Sequence, residues 1–220
     1  MSRSERLQRG AEGYLRMTFQ GSLPADRAQS YEEQRASPRF ALLLRAAKLV
    51  GAEGEYLCIV RDVSETGVRL RLFHSLAAER RLALESAAGE RLGIEKVWEN
   101  GGEAGFRFDV SIDVQRFIAE AGPYPKRPIR VGVEDVARIT VSGETTVARL
   151  RDLSRQGAGI DIDRHLAIGQ HLRIEADALP EFEATVCWRR HPSYGLVFRQ
   201  LMSLEELAVR AFRMQPGRLR

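Results

Sequence analysis

Two arginines stand four residues apart in Arg35-Ala36-Ser37-Pro38-Arg39, and after 22 intervening residues comes Asp62-x-Ser64-x-x-Gly67. A guanidinium fork can grip a phosphate and can also donate twice to O6 and N7 of guanine. Asp62 can accept from the guanine N1 and N2 donors, Ser64 can bond either kind of partner, and Gly67 lets backbone approach a flat ligand. Pro38 disfavours helix at Ser37, so the arginine segment is expected to be extended or turned. These residue types together have the chemistry to hold a guanine nucleotide.

The elements that position them emerge when the chain is laid over itself. Asp62-Val63-Ser64-Glu65-Thr66-Gly67 matches Asp152-Leu153-Ser154-Arg155-Gln156-Gly157 at an offset of 90, and the same offset carries Trp98 onto Trp188, Gly105 onto Gly195 and Phe108 onto Phe198. Separated matches in one register mark a tandem duplication. In the first repeat, Phe40 to Val50, Tyr56 to Val63, Val68 to Phe73, Arg91 to Trp98 and Ala104 to Val110 read as strands. In the second, Val131 to Val141, Thr145 to Leu153, Ala158 to Ile162, His171 to Glu175, Glu183 to Arg189 and Gly195 to Arg199 do so. Five or six short strands per repeat predict a barrel, which hides sheet edges by closing. Each repeat ends in a helical pattern, Val114, Phe117 and Ile118 in one and Leu204, Leu207, Ala208 and Ala211 in the other, expected to lie on the core as a lid. A disordered tail is expected over 1–30, a first module over 31–121 and a second over 122–220, joined by the stiff linker Ala121-Gly122-Pro123-Tyr124-Pro125.

Composition adds bounds. The 220 residues carry a formal charge of +4, and the basic side chains are nearly all arginine, the lysines being Lys48, Lys96 and Lys126. No apolar run is long enough for a membrane span, which places the expected location in the cytoplasm. Cys58 and Cys187 lie in separate strand-like segments and read as small core residues in a reducing compartment. The four histidines have no metal-ligand spacing, and no cofactor is expected.

On the residues just described, the chain resembles the PilZ family of bacterial cyclic di-GMP receptors. The family signature is Arg-x-x-x-Arg, a strand pair, then Asp/Asn-x-Ser-x-x-Gly. The resemblance implies a mainly β fold of two tandem six-stranded antiparallel barrels, each followed by a short helix. It implies that Arg35 and Arg39 clamp phosphates and the guanine Hoogsteen edge while Asp62, Ser64 and Gly67 form the opposing wall. Arg69, on the strand after the loop, joins this set. Trp98, in the family's tryptophan-containing strand, stacks on a guanine or else supports the barrel core.

The second copy keeps Asp152, Ser154 and Gly157 but has Lys126 and Arg130 in place of the arginine pair. Lysine lacks the bidentate fork, so a weaker site is expected there. Alternation turns Arg69 and Arg71 outward in the first copy against Gly159 and Asp161 in the second, a contrast that favours an anion in the first. Arg155, where the first loop has Glu65, pulls the other way.

The leading reading is a receptor that passes messenger level to a protein partner through conformational change. A second is a PilZ-like adaptor that binds no nucleotide and acts through protein contacts. A nucleic-acid-binding barrel, suggested by a pI near 9.4, ranks below both, because the arginines are interleaved with 30 acidic residues. An enzyme ranks last: Ser64 and Ser154 have no histidine at an obvious partner position.

Overall fold

The computed structural model describes residues 40–76, 79–87, 89–119 and 128–215. Arg35, Arg39, Lys126, the tail and the linker lie outside them. The first repeat forms β1 (Phe40–Val50), β2 (Glu55–Val63), β3 (Gly67–Leu72), β4 (Arg81–Glu85), β5 (Arg91–Asn100) and β6 (Glu103–Phe108), followed by α1 (Val114–Ala119). The second forms β7 (Val131–Val141), β8 (Glu144–Ser154), β9 (Gly157–Asp161), β10 (His171–Ala176), β11 (Leu179–Arg190) and β12 (Ser193–Phe198), then α2 (Leu204–Arg213). Each set closes as an antiparallel barrel, in the orders β1-β2-β3-β6-β5-β4 and β10-β11-β12-β9-β8-β7.

Strand β4 is the one element the sequence reading passes over. Its Arg-Leu-Ala-Leu-Glu is made of good helix formers. Pairing with β1 on one side and β5 on the other, with Leu82 and Leu84 buried, overrides that preference. The turns follow their chemistry: Gly101 and Gly102, with φ of 57° and 77°, make the β5–β6 hairpin.

Each barrel has its own core. Val60, Val63, Val68, Leu70, Ile94 and Phe106 lie in the first, and Val131, Leu150, Leu153, Ala158, Ile160 and Tyr194 in the second. Helix α1 lays Val114, Phe117 and Ile118 on the first core. Helix α2 begins in a capping box between Ser203 and Glu206 and buries Leu207, Ala208 and Ala211 on the second. Its Phe212 packs on the first barrel instead, stacked on His74 with ring centroids 3.7 Å apart.

The seam between the barrels is made by β2. All residues from Tyr56 to Val60 are buried, without the alternation of a strand with one wet face. Tyr56, Cys58 and Val60 face the first core, whereas Leu57 joins the second core. Polar bonds flank this apolar contact. Glu55 Oε2 accepts from the Gly132 amide at 2.5 Å and from Lys48 Nζ at 3.0 Å. The Gln215 side chain, almost fully buried, accepts from the Glu55 amide at 2.9 Å and donates to the Gly132 carbonyl at 3.0 Å.

Lys48 is also 3.1 Å from Glu85, which Arg91 approaches to 2.6 Å. Burial works against ionisation of Glu85, yet the bonds from Arg91 and Lys48 hold its carboxyl below the usual carboxylate range. Stabilisation by this group is therefore complete above its unfolded-state pKa of about 4.3 and is lost as pH falls through the lower folded value. Between about pH 6 and about pH 3 the melting temperature of the wild type is expected to drop by a few degrees more than that of Glu85→Gln. Parallel curves in thermal melts would show that Glu85 contributes nothing to acid sensitivity.

Of the two thiols expected in the cores, one is there. Cys58 is buried in the first core, and burial pushes its thiol well up, while Cys187 is exposed. A register shift between Val186 and Trp188 breaks the alternation of β11, which leaves Cys187 and Trp188 both outside. Among the described residues, no helix is long and apolar enough to cross a membrane.

Candidate functional site

The two loop motifs are the β2–β3 and β8–β9 hairpins. In the first, the Ser64 amide donates to the Gly67 carbonyl at 2.8 Å and the Gly67 amide to Ser64 Oγ at 3.2 Å, so the serine closes its own turn. In the second, Ser154 Oγ donates to the Gly157 carbonyl at 3.2 Å. The glycines serve a close approach of strands. A Cβ on Gly67 would stand 2.8 Å from the Phe106 carbonyl oxygen, and one on Gly157 would run into the Leu196 carbonyl oxygen.

Asp62 reaches the outer face because of a β-bulge. Val60 pairs with Leu70, but the register shifts before Asp62 pairs with Arg69, so a residue due to point inward is turned out. The same irregularity recurs before Trp98, before Asp152 and before Trp188. Trp98 is consequently 41% exposed and Trp188 44%, and the core-supporting alternative for Trp98 is excluded.

These bulges align one row of residues across four strands of each barrel. In the first, Asp62 pairs with Arg69, Arg69 with Gly105 and Gly105 with Trp98. In the second the row is Asp152, Gly159, Gly195 and Trp188. The indole lies against the glycine in both: a Cβ on Gly105 or Gly195 would collide with the ring. Carboxylate and aromatic face thus sit at two ends of a shared outer row.

What lies between them differs. In the first barrel Arg69 Nε is 2.6 Å from Asp62 Oδ2, and Arg69 and Arg61 also approach Glu103, at 3.6 and 3.5 Å. Of the two arginines of the basic face expected from the sequence, Arg69 is thus ion-paired, while the Arg71 guanidinium lies over the Phe73 ring, 5.7 Å from its centroid. In the second barrel Asp152 itself covers Gly159 and accepts from Arg130 Nη1, which joins two residues of the candidate second site directly. Arg155 is turned away and donates to the Met202 carbonyl at 2.8 Å. Asp161 is matched by Ser193 at 2.7 Å and Arg151 at 3.2 Å, so this face is not free negative charge either.

The place of Gly159 under the Asp152 carboxylate, and the bulges, escaped the sequence reading. The glycine leaves a visible trace, the Gly-x-Gly of Gly157-Ala158-Gly159, but a bulge leaves no signal in an otherwise apolar strand. Among the described residues, no group of three or more His, Cys, Asp or Glu side chains is placed to hold a metal ion.

The family model described as PilZ domain matches residues 33–120 and again residues 126–212. The chain belongs to the PilZ domain family. No curated protein matches it. Among solved structures, this PilZ chain is similar to the PlzA protein of Borreliella burgdorferi in complex with c-di-GMP, at 10% identity, with 86% of this chain and 100% of that one covered and a TM-score of 0.35. It is similar to the Bacillus subtilis inhibitor of motility MotI/DgrA, at 9% identity, 78% and 97% coverage and a TM-score of 0.36. It is also similar to Escherichia coli YcgR in complex with c-di-GMP, at 14% identity, 77% and 82% coverage and a TM-score of 0.29.

Proposed function

We propose that the chain is a receptor for cyclic di-GMP. Its principal site is on the first barrel, formed by Arg35, Arg39, Asp62, Ser64, Gly67, Arg69 and Trp98. A weaker site on the second is formed by Lys126, Arg130, Asp152, Ser154 and Gly157. The reading rests on one observation: a carboxylate and an exposed indole repeated at the two ends of the same four-strand row. A purine has an edge for the carboxylate and a face for the indole, and base-on-aromatic stacking contributes about 1–3 kcal/mol per base. Membership of the PilZ domain family agrees with it.

In the first barrel the ligand competes for Arg69. Its phosphate or guanine O6 and N7 draw the guanidinium from Asp62, and the Asp62 carboxylate accepts from guanine N1 and N2. Binding is transmitted through the seam, which changes the placement of the barrels that a partner protein reads.

Trp98 and Trp188 are the only tryptophans, so fluorescence excited selectively at tryptophan reports on the two rows. Cyclic di-GMP is expected to quench the wild type, and Trp98→Phe to remove most of the change at low ligand concentration. Asp62→Ala should weaken calorimetric binding by about tenfold or more, the cost of losing a charge-assisted bond pair. Titrations of wild type that show neither heat nor fluorescence change would refute the receptor reading.

A further inference from the structure

A cavity of about 780 Å³ lies between the barrels. The second barrel contributes Arg130 and Ser154 to its wall, two residues of the proposed weaker site, together with Cys187 and Leu196. The first contributes Lys48, Glu85, Ser86, Ala87 and Gly89. The size falls within the roughly 300–1,000 Å³ common for small-molecule sites.

Lys48 is unusual in this wall. It is an almost fully buried cation, 8% exposed, on the outer side of β1, whose neighbours Ala47 and Leu49 face the first core. It is held by two carboxylates, Glu55 at 3.0 Å and Glu85 at 3.1 Å. Glu55 is itself bonded to the Gly132 amide, and Gly132 pairs with Asp152, the partner of Arg130. A first-barrel cation is thus tied, through one carboxylate, to the strand pair that carries the second barrel's motif.

We propose that Lys48 completes the second barrel's site, contacting a phosphodiester oxygen of an anion lodged between the barrels, so that this site exists only when both barrels are present. The inference rests on the receptor reading above and adds a residue outside the family motif. Two cations, Lys48 and Arg130, then face the anion from opposite barrels. An oxygen of the ligand takes the place of a carboxylate on Lys48, an exchange of one charge-assisted bond for another.

The test is calorimetric titration of the full chain with cyclic di-GMP, in an Arg35→Ala/Arg39→Ala background that disables the principal site. That background should retain one weak site, which Arg130→Ala should remove. Added Lys48→Met is expected to weaken it by about tenfold, as loss of one charged bond does. Glu85→Gln, which relieves Lys48 of one competing carboxylate, should tighten it by about twofold to threefold. If Lys48→Met fails to fold, the Glu85→Gln result decides alone: tighter binding supports the assignment, and unchanged or weaker binding overturns it. Loss on Arg130→Ala with no effect of Lys48→Met or Glu85→Gln sinks the Lys48 role while leaving the receptor reading intact. A background with no residual binding also overturns it, and wild type with no binding overturns both.

Discussion

Arg35→Ala combined with Arg39→Ala is expected to weaken cyclic di-GMP binding to the first barrel by at least about 100-fold, the largest functional effect anticipated for any pair of side chains. Truncating one partner of a desolvated charge pair costs about 2–5 kcal/mol, and each 1.4 kcal/mol is about tenfold in affinity. The four-strand row explains why so much rests on these arginines. Asp62 and Trp98 offer an acceptor and a stacking face but no net positive charge, and Arg69 is already divided between Asp62 and Glu103. The phosphates need cations from elsewhere, and the Arg-x-x-x-Arg segment immediately before β1 is the proposed source. Circular dichroism should be unchanged, since the pair precedes the first strand. Calorimetry showing wild-type affinity in the double variant would mean that the phosphates are held by other groups.

Gly157→Ala is expected to be the most damaging small substitution for stability. The added methyl group would meet the Leu196 carbonyl oxygen and stand 3.3 Å from the Val197 Cα, both backbone atoms of the paired strand β12, so no side-chain rotation relieves the clash. Overpacking of this kind costs roughly 3 kcal/mol where the neighbours cannot yield. Gly67→Ala, with 2.8 Å to the Phe106 carbonyl oxygen, should cost less, about 1 kcal/mol. Urea unfolding of the full chains would rank them. Equal stability of wild type and Gly157→Ala would show that the β9–β12 backbones yield at this point.

Much of this architecture is legible in the residues. The 90-residue repeat, the alternation of Val68, Leu70 and Leu72 against Arg69 and Arg71, and the Gly101-Gly102 turn each record a local constraint, and the strands follow them. Strand β4 is not legible, because its helix-forming residues become a strand only through neighbours distant in sequence. Cys187 misleads, and Trp98 stays open between two readings, for one reason: a single bulged residue inverts the inside–outside pattern beyond it, and nothing in Lys96-Val97-Trp98 or Val186-Cys187-Trp188 announces it. The two loop carboxylates are legible as acceptors, but the arginines they bond, Arg69 in one barrel and Arg130 in the other, depend on three-dimensional pairing.

The seam residues leave a fainter trace. The unbroken apolar run from Tyr56 to Val60 marks a strand covered on both faces, but it does not say by what. Lys48, Glu55 and Gln215 look like ordinary surface residues until the second barrel is placed on them.

Leu57 buried in the neighbouring barrel's core and Phe212 returned to the first barrel have a consequence for dosage. Two separate copies of such a domain would have to find each other, and their pairing would rise and fall with the amount of protein in the cell. Here the partner is covalently supplied at a fixed effective concentration, so the fraction of paired barrels is independent of expression level.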